Sequence, residues 1–65
     1  MGAEFKYSAS AITQDGLIVI YTKEDYLIGG RIKDSNGGRA ILSVSEAKKL
    51  YADLGREIAK AEGRG

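Results

Sequence analysis

Leu17-Ile18-Val19-Ile20-Tyr21 is an unbroken apolar run. Successive side chains of a strand point to opposite faces, so a strand built from this run needs cover on both sides. Upstream, Phe5, Tyr7, Ala9 and Ala11 alternate with Lys6, Ser8 and Ser10, the period-two pattern of a half-buried strand. Downstream, Tyr26, Ile28 and Ile32 are interleaved with Arg31 and Lys33 in a further strand. After Ser43 the period changes. Val44, Ala47, Leu50, Tyr51, Leu54, Ile58 and Ala61 recur at three- and four-residue steps and predict an amphipathic helix with one apolar stripe.

Turn chemistry divides these runs. Asp15-Gly16 between apolar segments predicts a hairpin, because glycine accepts a positive φ. The polar Lys23-Glu24-Asp25 closes the second strand, and Asn36-Gly37 favours a type I′ turn leading into Arg39–Leu42. With that turn, Asp34 faces Arg39 and Ile32 faces Ile41, two favourable cross-strand pairs. Gly29-Gly30 reads as a bulge, bend or close approach inside a strand. Ser43-Val44-Ser45-Glu46 is a capping box, and Glu46-Lys49, Asp53-Arg56 and Glu57-Lys60 place opposite charges on the solvated side of the helix. The expected fold is α+β in a single small domain, a four-stranded antiparallel β-meander followed by one C-terminal α-helix packed on one face. The strands fall at about 4–12, 17–22, 26–33 and 39–42, and the helix at about 44–61.

These registers place Ile12, Leu17, Val19, Tyr21, Ile28, Ile32 and Ile41 under the helix, with Tyr26 near the end of that face. Phe5, Tyr7, Ala9, Ala11, Ile18, Ile20, Leu27 and Leu42 fall on the other face. One helix covers one face of so small a sheet, which leaves the second to another copy, a partner or a ligand. Phe5, Tyr7, Ile18, Ile20, Leu27 and Leu42 are therefore the candidate interface residues. A 65-residue chain is marginal alone, since domains of this size bury only about 60% of their unfolded surface, and oligomerisation is one remedy.

Composition narrows the chemistry. Cysteine and histidine are both absent, which removes disulfide staples, thiolate or imidazole metal sites, and Ser-His or Cys-His nucleophile pairs. The loop carboxylates Asp15, Glu24, Asp25 and Asp34 lack the depth of domain needed to desolvate one of them for acid–base work. Neither glycine pair runs from a strand into a helix N-terminus, so no phosphate loop is predicted. The expectation is a non-enzymatic chain with no catalytic residue, cofactor or metal.

Ten Lys/Arg against nine Asp/Glu give a net charge of +1, little basic excess for a protein held by phosphate contacts. Lys23, Arg31, Lys33 and Arg39 are nevertheless candidates for nucleic-acid contact or for a charged interface rim. A sheet meander followed by one helix resembles the plant AP2-type and integrase arm-binding domains, and that resemblance implies DNA binding. No long apolar segment or secretory pattern is present, and Met1-Gly2 is followed by Lys6 where a myristoylation signal requires Ser or Thr. A cytoplasmic location without membrane association is expected.

Leu42-Ser43-Val44-Ser45-Glu46, with Leu50-Tyr51 and Glu57-Ile58, resembles the helix of the small bacteriophage inhibitors of uracil-DNA glycosylase. The likeness covers under a third of the chain, and those inhibitors are strongly acidic where this chain is nearly neutral. Lys33-Asp34-Ser35 with Gly38, Leu42, Ser45 and Glu46 is similar to small actinobacterial regulators of the developmental Bld type, whose tryptophan is absent here. Gly55, Ala59 and Gly63, with Ala52 on the same flank, form a small-residue strip that is either solvated or approached by another helix. The functional expectation is a protein–protein interaction module, a homodimeric regulator or inhibitor of the kind phages and plasmids encode, binding itself, a protein target or both. The alternative is a small DNA-binding domain that reads DNA through its basic sheet face.

Overall fold

The computed structural model describes residues 2–63. It contains β1 (Ala3–Gln14), β2 (Leu17–Ile28), β3 (Arg31–Leu42) and α1 (Val44–Ala61). The strands form one antiparallel meander in the order β1-β2-β3, followed by the helix.

The sheet has three long strands where four short ones were expected. Lys23-Glu24-Asp25 is not a turn but the middle of β2, opposite Ser8, Tyr7 and Lys6 on one side and Gly37, Asn36 and Ser35 on the other. In a central strand both edges are hydrogen-bonded, so polar residues are accommodated wherever their side chains reach solvent. The Asp25 carboxylate accepts from the Ser35 hydroxyl and lies 3.7 Å from Lys23 Nζ.

The turns lie at Asp15-Gly16 and Gly29-Gly30, with φ of 52° and 76° in the first and 60° and 80° in the second. Two successive positive φ values match the type I′ hairpin, whose twist agrees with that of the flanking strands. The Asn36-Gly37 turn does not form, because that segment runs extended inside β3. Its glycines serve packing instead. A Cβ at Gly37 would lie 3.3 Å from the Thr22 carbonyl oxygen, and one at Gly38 2.9 Å from Thr22 Oγ1. The expected pairs Asp34–Arg39 and Ile32–Ile41 are consequently replaced. Arg39 faces Tyr21, Ile41 faces Val19, Asp34 faces Tyr26, and after a register shift Ile32 faces Leu27.

The helix starts where the capping box requires. Ser43 is extended (φ −68°, ψ 163°); the Glu46 N–H donates to Ser43 Oγ at 3.2 Å, and the Ser43 N–H donates to Glu46 Oε1 at 3.0 Å. Asp53–Arg56 and Glu57–Lys60 pair at 2.8 and 3.2 Å, whereas Glu46 is engaged by the cap. Ser43→Ala should lower stability by about 1 kcal/mol, the usual effect of losing an N-cap hydroxyl, read as a lower denaturation midpoint at unchanged slope. The Ser43 backbone N–H, then its hydroxyl, hold the Glu46 carboxyl below its ordinary pKa. A carboxylate with a lowered folded pKa adds stability above its unfolded pKa and loses it as the pH falls through the folded value. Glu46→Gln should therefore show a smaller drop in melting temperature than the parent chain on acidification below the ordinary carboxylate range.

The helix does not pack across a sheet face as expected. No residue of α1 is buried, and its stripe is open, with Tyr51 82%, Leu54 53% and Ile58 54% exposed. It approaches β2 and β3 only slightly and does not reach β1; Val44, Ala47, Lys48 and Tyr51 flank a shallow groove beside Ile18. The physical reason lies in the connection. Ser43 alone joins β3 to α1, shorter than the links of about 2–6 residues that usually reverse a chain from strand to helix.

Among the described residues only Val19 and Leu27 are buried hydrophobics. The chain exposes 5392 Å², whereas a folded monomer of 7.0 kDa exposes about 4,000 Å². Its radius of gyration is 15.2 Å, against about 11 Å for a compact domain of this length. The Cα atoms span 44 × 35 × 11 Å, the outline of a single layer.

Candidate interaction surface

Pairing through a continuous β2 assigns each residue to a face. One face carries Phe5, Tyr7, Ala9 and Ala11 of β1, Ile18, Ile20, Tyr26 and Ile28 of β2, and Ala40 and Leu42 of β3. Here Ala11 and Ala40 flank the half-buried Ile20, Thr13 and Leu42 flank the half-buried Ile18, and Ala9 stands opposite Thr22, so the central isoleucines form the floor of a channel whose walls are small around Ile20. At its far end the Phe5 ring stacks near Tyr7 (centroids 6.3 Å apart, planes at 12°) and tilts against Tyr26 at 5.0 Å. Phe5 and Tyr7 remain 53% and 70% exposed.

Five of the six expected interface residues, Phe5, Tyr7, Ile18, Ile20 and Leu42, share this face. Leu27 does not. It lies on the opposite face between Glu4 and Ile32 and is buried. The expected assignment relied on a turn at residues 23–25; with the strand unbroken, the odd positions Val19 and Leu27 share a face and the even ones Ile18 and Ile20 take the other. For the same reason Tyr26 and Ile28 move to the Phe5 face. Ile12, Leu17, Val19, Tyr21, Ile32 and Ile41 keep one face together, but the helix does not cover them.

The helix stripe is the surface that sequence reasoning missed, because it assigned Tyr51, Leu54 and Ile58 to contacts within the chain. The readable signal was the capping serine directly after Ile41-Leu42, which leaves no loop for the helix to fold back.

The basic candidates do not form one stripe. Lys23 and Arg39 share the face opposite the channel, where they line a shallow groove of about 680 Å³ with Ser8, Ser10, Tyr21 and Ser35. Gly37 and Gly38 also line that groove. Arg31 sits opposite Ile28 beside the Gly29-Gly30 turn, and Lys33 lies in the register shift. Lys23 faces Asp25 at 3.7 Å, whereas Arg39 has no ion-pair partner among the described residues.

Among the described residues no cluster of three or more His, Cys, Asp or Glu is placed to hold a metal ion. No helix among them is long and apolar enough to cross a membrane. No family model, curated protein or solved structure matches the chain.

Proposed function

We propose that this chain is a non-enzymatic protein–protein interaction module that works as a homodimer, in the manner of a small regulator or inhibitor. The observation that carries the reading is the open apolar stripe of α1, with Tyr51, Leu54 and Ile58 more than half exposed. Apolar side chains of this size are each worth about 1.5–3 kcal/mol on full burial, and the lone chain leaves that stabilisation unused. The sheet channel adds a second apolar surface of the same kind. Donor- and acceptor-labelled chains mixed at micromolar concentration should show energy transfer that excess unlabelled chain removes; absence of transfer would eliminate self-association and leave only a different protein as partner.

A second reading, a small DNA-binding domain, is favoured by the groove between Lys23 and Arg39. Its hydroxyl-rich walls and unpaired Arg39 suit phosphate oxygens. The presence of Asp25 beside Lys23 and the dispersal of Arg31 and Lys33 count against it. Under the leading reading, duplex DNA binds weakly and Lys23→Ala with Arg39→Ala changes that little. Tight binding at low salt that falls steeply with added salt and disappears in the double variant would promote the second reading.

A further inference from the structure

Resting on the homodimer reading, we infer that the sheet channel lined by Ala9, Ala11, Ile18, Ile20 and Ala40 receives the helix of a second copy, apolar stripe down, and that the exchange is reciprocal. The area argues for a second copy as the occupant. The chain exposes roughly 1,300 Å² beyond a monomer of its mass. Two copies hiding that excess from each other would bury about 2,600 Å², inside the range of obligate homodimers. A smaller contact would leave much of the stripe in water.

Shape and charge select the helix-on-sheet arrangement. The stripe from Val44 to Ile58 is about 21 Å long, so laid along β2 it reaches from Ile18 over Ile20 and Thr22 to the edge of Glu24. Ala11 and Ala40 stand on either side of Ile20 and let a helix approach it closely, while Thr13 and Leu42 stand beside Ile18. The stretch around Ile18 and Ile20 carries no charge; farther along the same face stand Glu24, opposite Tyr7, and Asp34, opposite Tyr26, while the opposite face bears Glu4, Lys6, Lys23, Asp25 and Arg39. On the helix the charges Glu46, Lys49, Asp53, Arg56, Glu57 and Lys60 occupy the side away from the stripe and would stay in water. The single-residue link at Ser43 leaves the helix touching its own sheet only near Ile18, so the rest of the stripe is open to a two-fold-related sheet. Such an interface is isologous: each copy gives one helix and receives one.

The chain has no cysteine, so introduced thiols report on the arrangement without background. One pool carries a sheet substitution, Ala11→Cys or Ala40→Cys; the other carries a helix substitution, Ala47→Cys or Leu54→Cys. The pools are mixed under exchange, treated with a short bismaleimide and separated under denaturing conditions. A covalent species of twice 7.0 kDa in the sheet-plus-helix mixtures, absent from either pool alone, is the expected result. Molar mass and far-ultraviolet dichroism of each variant show that it folds and associates. Covalent dimers already formed by the helix variants alone, with no further covalent species on mixing with the sheet pool, would mean that the helices pair with each other and would overturn the exchange while leaving the dimer intact. A monomeric mass for the unsubstituted chain would overturn both readings, and a double Ala11→Cys/Leu54→Cys chain linked only within itself would show the helix closed on its own sheet.

Discussion

Leu54→Asp should separate the associated protein into single chains. Leu54 sits in the middle of the helix stripe and is 53% exposed in the lone chain, so its burial depends on what covers the helix. Introducing a carboxylate there forces either an unpaired charge into an apolar contact or an opening of the contact. At about 2 kcal/mol or more per site, and with two equivalent sites in a two-fold dimer, the loss reaches about 4 kcal/mol, roughly a thousandfold in Kd. Lys49→Asp, on the charged side of the same helix, should leave the association unchanged. Measuring molar mass against concentration for both variants checks the expectation; equal behaviour of the two would mean that the stripe is not the interface.

Gly30→Val should destabilise the second hairpin by about 2 kcal/mol, whereas Gly30→Asn should be nearly neutral. Gly30 has φ of +80°, where a β-branched side chain clashes with its own backbone and asparagine is tolerated. A Cβ there meets nothing else within 4 Å, so the effect isolates backbone conformation from packing. Denaturation midpoints of the two variants decide the matter. A tolerated valine would place the turn elsewhere, and the Asn36-Gly37 segment is the other position the sequence offers.

That choice of turn is also where sequence reasoning parted from the structure. Asn-Gly is the strongest short-range hairpin signal, and it outweighed Gly29-Gly30 when only local chemistry was weighed. The competing consideration is global: three strands of equal length pair along their whole extent only if Lys23-Glu24-Asp25 stays in the sheet. Polar residues in a two-sided strand resemble a boundary from sequence because alternation alone does not say which faces are dry. Once the strand is unbroken, the parity shift that moved Leu27, Tyr26 and Ile28 between faces follows without further assumption.

The Asp15-Gly16 turn and the Ser43 cap were legible because each is decided within a few residues by backbone φ or by a hydrogen bond between near neighbours. The helix bounds followed from the cap and the three-to-four-residue period. Its position relative to the sheet was not legible, since periodicity identifies an apolar stripe but not the chain that covers it. The surplus of apolar surface was visible in Leu17 to Tyr21, and its extent was underestimated because the helix was counted as cover.

Sedimentation equilibrium over a range of micromolar concentrations decides whether the chain self-associates. A molar mass of twice the 7.0 kDa chain is expected, falling toward the single-chain value only on dilution. A mass of 7.0 kDa throughout, independent of concentration, would contradict it.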